Sequence, residues 1–168
     1  MAEVVGHEGA VTGTEVRGDL AARAKENLRG YPNVTVHAGD GATFDPGTCD
    51  AMLINAGVTH PSPFWLDRLS EGGRLIVPLT MAMRPSYGVG FMTKIIRHDG
   101  KFSAEIVTSV AIYSCTSMRD AEREPLLKTA MTGGGFTKMK LVRRDAHERT
   151  DQCIVHGTDV CLSAATSA

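Results

Sequence analysis

Two short segments that each lead to a carboxylate constrain the fold of this chain more than any other feature. Residues 10–15 end in Val-Thr-Gly-Thr-Glu15, and residues 33–37 are followed by Gly39-Asp40-Gly41. Each pattern is typical of a buried strand that ends at an acidic side chain. Two carboxylates at neighbouring strand ends suit a bound nucleoside, one for the ribose hydroxyls and one for the base.

A helix is predicted between these two strands. Asp19 is positioned to cap its N-terminus, and Gly30 and Pro32 stop it. The apolar positions recur at four-residue spacing and are Leu20, Ala24 and Leu28. A strand, a helix and a second strand in this order predict a right-handed crossover and a parallel sheet.

The same alternation continues after residue 50. Residues 51–54 are apolar on both faces and end at Asn55, as expected for a central parallel strand covered by helices. Ser62-Pro63 predicts the cap and first residue of a helix that Gly72 closes. Residues 74–77 then predict the next strand.

The second half of the chain changes to a period of two. Residues 102–112 alternate, and Asp99-Gly100 joins them to residues 89–97 through a strong type I′ turn signal. This pattern predicts an antiparallel hairpin. Three further elements are predicted near the C-terminus, a helix at 125–131 and strands at 139–143 and 159–163.

Composition limits the class of protein. With 168 residues, 42% of them hydrophobic, we expect a single domain over residues 1–163 and a disordered tail at 164–168. A net charge of -1 gives no reason to expect nucleic acid or a membrane surface as partner. No signal peptide or apolar run of about 20 residues is recognisable. The four cysteines lack paired spacing, which predicts reduced thiols in the cytoplasm.

The order of these motifs resembles the class I S-adenosylmethionine-dependent methyltransferases, and more narrowly the protein-L-isoaspartate O-methyltransferase family. Gly39-Asp40-Gly41, followed about 30 residues later by Gly72-Gly-Arg-Leu-Ile-Val-Pro78, is fairly specific for that family, whereas either piece alone is weak. The resemblance covers residues 1 to about 80 and is looser beyond them. It implies an α/β, Rossmann-like methyltransferase fold, a mostly parallel sheet with C-terminal antiparallel strands and the first strand missing.

The resemblance also implies a cofactor, S-adenosyl-L-methionine, and residues that bind it. Glu15, with Val16 beside it, would meet the ribose hydroxyls, Asp40 the adenine amino group, and Gly41 would let backbone approach the ring. Asn55 would face the methionine part or the methyl acceptor, a protein or peptide carboxylate or a small molecule. Methyl transfer is a direct displacement that needs no covalent nucleophile, so no catalytic residue is identified.

The chain departs from the family at its start. The family's Gly-x-Gly-x-Gly loop has no counterpart, because Gly6, Gly9 and Gly13 lie too close to Glu15 and follow no strand. Residues 2–6 resemble the last turn of the helix after that loop. We therefore expect a truncated methyltransferase domain that binds the cofactor weakly, without the strand that lies centrally in the family's sheet.

Two other function classes stay open at this point. Ile54-Asn-Ala-Gly57 is similar to a strand end of short-chain dehydrogenases, but that class needs Tyr-x-x-x-Lys. The residues four positions after the three tyrosines are Thr35, Phe91 and Ser117. The other alternative is a non-catalytic remnant that acts as a binding or oligomerisation module through its hairpin, residues 89–112.

Several residues also have simpler interpretations. Taken alone, Glu15 and Asp40 are typical of solvated helix caps, and the companion motifs favour the cofactor role. His60 is typical of a solvated loop histidine. Cys153-x-x-His156 with Cys161 could indicate zinc, but a second ligand pair at suitable spacing is lacking, so no metal is expected.

Overall fold

A computed structural model gives the structure of the chain and describes residues 1–164. The chain divides into two compact units, Met1–Pro46 and Gly47–Ala168. The strands form a two-stranded sheet and a seven-stranded sheet. The predicted tail at 164–168 lies outside the described residues from 165 onward, and the Ala164 N–H donates to the carbonyl oxygen of Gln152 at 2.9 Å.

The unit Met1–Pro46 contains a parallel pair of strands joined by a helix. Its elements are helix α1 (Ala2–Val5), strand β1 (Val11–Glu15), helix α2 (Gly18–Asn27) and strand β2 (Val34–Ala38). β1 and β2 pair in parallel with Glu15 opposite Ala38, which confirms the predicted strand, helix and strand. Because parallel strands run the same way, both carboxyl ends lie at the same edge of this small sheet.

The predicted cap of α2 is wrong. Arg17 occupies the N-cap position and caps through no side-chain hydrogen bond. Asp19 lies inside the first turn, where its carboxylate accepts hydrogen bonds from the Arg17 guanidinium at 3.2 and 2.8 Å. The carboxylate therefore pairs with the cation two residues before it.

The unit Gly47–Ala168 is built on the seven-stranded sheet. Its elements are β3 (Cys49–Leu53), α3 (Pro63–Asp67), β4 (Leu69–Arg84), β5 (Tyr87–His98), β6 (Lys101–Tyr113), α4 (Arg123–Thr132), a 3₁₀ turn (Gly135–Lys138), β7 (Leu141–Arg143), β8 (Cys153–Val155) and β9 (Cys161–Ser163). The strand order is β3-β4-β5-β6-β7-β9-β8. β3 and β4 pair in parallel and the remaining pairs are antiparallel. The antiparallel part is larger than the sequence predicts, and β8 was not predicted.

The turn into α3 follows its sequence signals, whereas the end of the helix does not. Ser62 Oγ accepts from the Phe64 N–H at 3.2 Å, and Pro63 is the first helical residue, as predicted. The helix ends at Asp67, well before Gly72. Gly72, with φ 75°, lies within the irregular start of β4. This glycine allows the strand to bend there instead of closing the helix.

The long hairpin confirms the turn signal at its tip. β5 and β6 are in register from Tyr87 opposite Tyr113 to His98 opposite Lys101, with one irregularity near Met92. Asp99 and Gly100 have φ values of 50° and 70°. A type I′ turn requires positive φ at both central residues, which explains the Asp-Gly pair.

The buried apolar side chains belong almost entirely to Gly47–Ala168. Fully buried large side chains of this unit are Val58, Leu66, Leu69, Leu75, Val77, Leu79, Ile95, Leu127, Phe136, Met139, Val155 and Leu162. In Met1–Pro46, Ala21 is the buried hydrophobic residue. No helix within residues 1–164 has the length and apolar character to cross a membrane.

Candidate functional site

The two predicted carboxylates lie at the same edge of the β1–β2 sheet. Glu15 is the last residue of β1, and its carbonyl oxygen accepts from the Gly39 N–H at 2.9 Å. Asp40 follows two residues after Ala38, the partner of Glu15. The structure thus brings Glu15 and Asp40 together at neighbouring strand ends, the arrangement that the sequence predicts.

The Glu15 side chain is held by the turn that follows β1. Its Oε1 accepts from the Arg17 N–H at 2.9 Å. Val16, between these two residues, is 63% exposed and offers apolar surface next to the carboxylate. A carboxylate has about four acceptor positions, so this one hydrogen bond leaves capacity for ligand hydroxyls.

Asp40 organises the turn after β2. Its Oδ1 accepts from the Ala42 N–H at 2.9 Å, and its carbonyl oxygen accepts from the N–H groups of Thr43 and Phe44 at 3.1 and 3.0 Å. Each carboxylate therefore also supports its own turn, as in the simpler interpretation. That role uses one oxygen of each side chain and is compatible with ligand binding.

Gly41 lies in close contact with β1. A Cβ atom at this position would lie 2.6 Å from Thr14 Oγ1, closer than side chains pack. A side chain at position 41 would therefore force Thr14 to shift, so glycine favours the approach of the loop after β2 to the end of β1. Glu15, Asp40 and Gly41 thus lie at the same end of the β1–β2 sheet.

Asn55 lies in the other compact unit. It is exposed and lies two residues after the end of β3. The N–H of the intervening Ile54 donates to the Ile76 carbonyl oxygen at 2.9 Å. The loop continues into an isolated bridge between Val58 and Leu79 of β4. Asn55 is thus at the carboxyl end of its strand, as predicted, and the pair in Met1–Pro46 is formed without it.

The loop after Asn55 contains a buried polar contact that sequence reasoning missed. Thr59 is fully buried, and its Oγ1 lies 2.9 Å from His60 Nδ1 and accepts from the Asp120 N–H at 3.2 Å. Burial, together with the positive charge of Arg123, lowers the pKa of His60 to about 4. The sequence predicts a solvated loop histidine, whereas the structure places His60 in a half-buried position. A polar residue in a loop has no periodic pattern that would have indicated this burial.

The N-terminal glycines serve a structural purpose. Gly6 and Gly9 lie between α1 and β1, so they follow a helix and not a strand. The Asn33 side-chain Nδ2 donates to both of their carbonyl oxygens, at 2.8 and 2.9 Å. Their position agrees with the expectation that they are not the family's glycine-rich loop.

Known proteins resemble this chain over most of its length. The family model for protein-L-isoaspartate(D-aspartate) O-methyltransferase (PCMT) matches residues 1–120. The protein-L-isoaspartate O-methyltransferase of Ignicoccus hospitalis is 38% identical over 101 residues, 58% of this chain and 46% of the relative. The chain spans less than half the length of this relative, and 27% of that of a relative from Thermotoga maritima.

Two solved structures share the fold. A protein-L-isoaspartate O-methyltransferase superposes with a TM-score of 0.62 at 24% identity, covering 76% of this chain and 40% of that protein. A beta-aspartate methyltransferase (PCMT) from Plasmodium falciparum, in complex with S-adenosyl-L-homocysteine, gives 0.51 at 19% identity, covering 64% and 52%. These likenesses confirm the Rossmann-like α/β fold. The family model, which matches residues 1–120, shows that the chain belongs to the protein-L-isoaspartate(D-aspartate) O-methyltransferase family.

Proposed function

We propose that this chain forms part or all of an S-adenosyl-L-methionine-dependent O-methyltransferase that acts on isoaspartyl carboxylates. The observation that carries the proposal is the meeting of Glu15 and Asp40 at one sheet edge, next to the tight contact of Gly41 with Thr14. Family membership supports the same reaction class.

Each predicted residue has a proposed role. Glu15 accepts hydrogen bonds from the ribose hydroxyls, and Asp40 accepts one from the adenine amino group. The exposed side chain of Val16 and the backbone of Gly41, which has no side chain, contact the adenine ring. Asn55 contacts the methionine part or the acceptor.

The chemistry needs positioning and little else. S-adenosyl-L-methionine supplies a methyl group bonded to a positively charged sulfur. A carboxylate oxygen of the acceptor forms a bond to the methyl carbon as the carbon–sulfur bond breaks. The electron pair of the broken carbon–sulfur bond stays on sulfur. The products are a methyl ester and S-adenosyl-L-homocysteine, and no side chain of this protein becomes covalently bound. Binding residues therefore contribute to the rate by holding donor and acceptor in line.

The acceptor class and compartment are part of the proposal. We infer a protein or peptide isoaspartyl carboxylate, with a small-molecule carboxylate as the other acceptor to be tested. The cysteines at 49, 115, 153 and 161 form no disulfide among the described residues. Reduced cysteines support a reducing compartment, the cytoplasm.

Calorimetric titration of S-adenosyl-L-homocysteine into the full chain tests the binding roles. A hydrogen bond to a charged group contributes about 1.5–3 kcal/mol, so Glu15→Gln and Asp40→Asn should each weaken binding by about 10-fold or more. Glu26→Gln, on the exposed face of α2, is the matched control and should bind as the unaltered chain does. Equal affinity in all four proteins would overturn the assignment of the carboxylates.

Transfer of labelled methyl groups tests the reaction itself. The full chain is incubated with labelled S-adenosyl-L-methionine and one of three acceptors: an isoaspartyl peptide, the same peptide with aspartate, or a small-molecule carboxylate. We expect label in the isoaspartyl peptide alone, in a base-labile ester. Label in a small carboxylate but in neither peptide would keep the reaction and change the acceptor.

One observation favours the non-catalytic alternative. Among the described residues, β6 pairs with β7 only through Phe102 and Ser103. Farther along β6, Val107 is 57% exposed, whereas the Tyr113 carbonyl oxygen accepts from the Gly57 N–H at 2.7 Å. An exposed strand edge can pair with a partner strand. The alternative is supported if the chain neither binds S-adenosyl-L-homocysteine nor transfers methyl groups, and if Val107→Lys abolishes self-association in light scattering.

A further inference from the structure

Four metal-binding side chains meet in the C-terminal part of the chain. They are His147, Cys153, His156 and Cys161, and one donor atom from each lies within 4.8 Å of the others. They come from the segment after β7, from β8, from the residue after β8, and from the start of β9. Their spacing in the chain is H-x₅-C-x₂-H-x₄-C.

His147 is oriented toward this cluster by a backbone contact. Its Nδ1 lies 2.8 Å from the carbonyl oxygen of Asp145, so Nδ1 carries the proton and donates it to that oxygen. Nε2 then presents a lone pair and lies 3.5 Å from Cys153 Sγ. A second partner that fixes the tautomer in this way is typical of histidines that bind metals.

Both cysteines are buried, and Cys153 Sγ has hydrogen-bond donors nearby. Cys153 is 8% exposed and Cys161 is 1% exposed. The Thr150 N–H donates to Cys153 Sγ at 3.4 Å, and Thr150 Oγ1 lies 3.5 Å from the same atom. Such donors stabilise a thiolate, the form that binds metals.

The side chain of His156 has a buried nitrogen atom, Nδ1, that forms no hydrogen bond with the described residues. The ring lies edge-on to His147, with centroids 5.0 Å apart. A buried polar atom without a partner costs about 1–3 kcal/mol, so such an atom calls for a ligand.

We propose that His147, Cys153, His156 and Cys161 bind one zinc ion in a tetrahedral, structural site. Zinc bonds of about 2.3 Å to sulfur and 2.0–2.1 Å to nitrogen place neighbouring sulfur and nitrogen ligands about 3.5 Å apart in a tetrahedron. The distance from His147 Nε2 to Cys153 Sγ is 3.5 Å. Two thiolates and two neutral imidazoles match the charge of the ion, and four protein ligands leave no position for a substrate.

The site would stabilise a region that has little regular structure. Residues 144–152 contain no helix or strand, and β8 and β9 have three residues each. The ion joins the irregular segment to both strands, and metal binding of this kind contributes directly to folding. The cluster lies beyond residue 120, outside the part of the chain that matches the family model.

Metal content and cobalt substitution test the proposal on the full chain. We expect about one equivalent of zinc per chain by plasma mass spectrometry after purification in reducing buffer. Replacement by Co²⁺ should give thiolate-to-cobalt charge transfer and the strong visible bands of a tetrahedral site. Cys161→Ser and His147→Gln should lose both signals. Cys49→Ser and Cys115→Ser, at cysteines outside the cluster, should keep them.

A measurement on the unaltered protein avoids variants that fail to fold. A chelator that removes the zinc should lower the melting temperature by several degrees, and added zinc should restore it. The proposal is overturned if cobalt gives no charge transfer, or if the signal persists in both Cys161→Ser and His147→Gln. It is also overturned if the reduced chain contains no metal and the chelator leaves its melting temperature unchanged. A disulfide between Cys153 and Cys161 that excludes the ion would overturn it as well.

Discussion

The units Met1–Pro46 and Gly47–Ala168 differ in what their residues contribute. In the first, Glu15 and Asp40 share one sheet edge, while Ala21 is the buried hydrophobic residue among those described. In the second, buried side chains such as Leu75 and Ile95 fill a core beside a seven-stranded sheet. Candidate binding residues such as Glu15 and Asp40 can therefore lie in a unit with few buried apolar side chains, because strand ends and turns are enough to position them.

The largest expected contrast is in core packing. Leu75 is fully buried, so Leu75→Ala should lower the free energy of unfolding by about 2–5 kcal/mol. Leu20→Ala, at a position 39% exposed in α2, should cost less than about 1 kcal/mol. Urea unfolding followed by the fluorescence of Trp65 for the first variant, and by circular dichroism for both, measures the difference. Equal losses would show that the two units are packed alike.

Acid stability should also differ between the units. The pKa of His60 lies at about 4 in the fold, because of burial and then the charge of Arg123, against an ordinary value of 6.5. The unfolded chain thus takes up a proton first as pH falls. This histidine contributes stability above pH 6.5, and the contribution is lost between pH 6.5 and about 4. Because the ring is partly exposed, we expect a loss on the order of 1–2 kcal/mol.

Unfolding free energies at pH 7 and pH 4.5 measure this effect. His60→Gln should reduce the difference between the two pH values. His7→Gln, at a histidine whose side chain is 92% exposed in the other unit, should leave it unchanged. An unchanged difference in His60→Gln would contradict the assignment.

A smaller effect is expected from the close contact in Met1–Pro46. Gly41→Ala would place Cβ against Thr14 Oγ1 and should cost about 1 kcal/mol, since the hydroxyl can rotate away at some cost. The double variant Thr14→Ala, Gly41→Ala should recover most of the loss. A double-mutant cycle of unfolding free energies measures the coupling. If both single changes simply add, the two residues are not in contact.

The smallest effects are expected at surface ion pairs, where variants in the two units should change the unfolding free energy by similar amounts. Lys94 pairs with Glu105 between β5 and β6, and Arg29 pairs with Glu26 after α2 at 2.5 Å. Lys94→Gln and Arg29→Gln should each change the unfolding free energy by less than about 0.5 kcal/mol. A larger change in either variant would mean that the charge pair is less solvated than its exposure indicates.

The sequence predicts local features better than long-range ones. The two strand ends at Glu15 and Asp40 and the hairpin at Asp99-Gly100 were predicted because short-range patterns encode them. Strand β8 was missed because three residues carry no periodicity and depend on pairing with β9. The cofactor roles of Glu15, Val16, Asp40, Gly41 and Asn55, and a single domain over residues 1–163, stay predictions.

The four side chains proposed to bind zinc also show that long-range features are hard to predict from the sequence. Cys153, His156 and Cys161 are visible in the sequence, but His147 stands in an irregular segment with no motif around it. Only the fold brings its Nε2 to Cys153. The spacing of residues in the sequence therefore indicates three metal-binding side chains, too few for a zinc site. The structure brings a fourth, His147, to the other three.

The small buried core of Met1–Pro46, with Ala21 as its buried hydrophobic residue, has a consequence for measured affinities. A unit with little buried apolar surface opens locally at a small free-energy cost, and its open forms do not present the two carboxylates as a pair. The apparent dissociation constant then equals the intrinsic constant divided by the fraction of closed molecules. On the proposed roles of Glu15 and Asp40, substitutions that stabilise α2 would tighten nucleoside binding by raising that fraction.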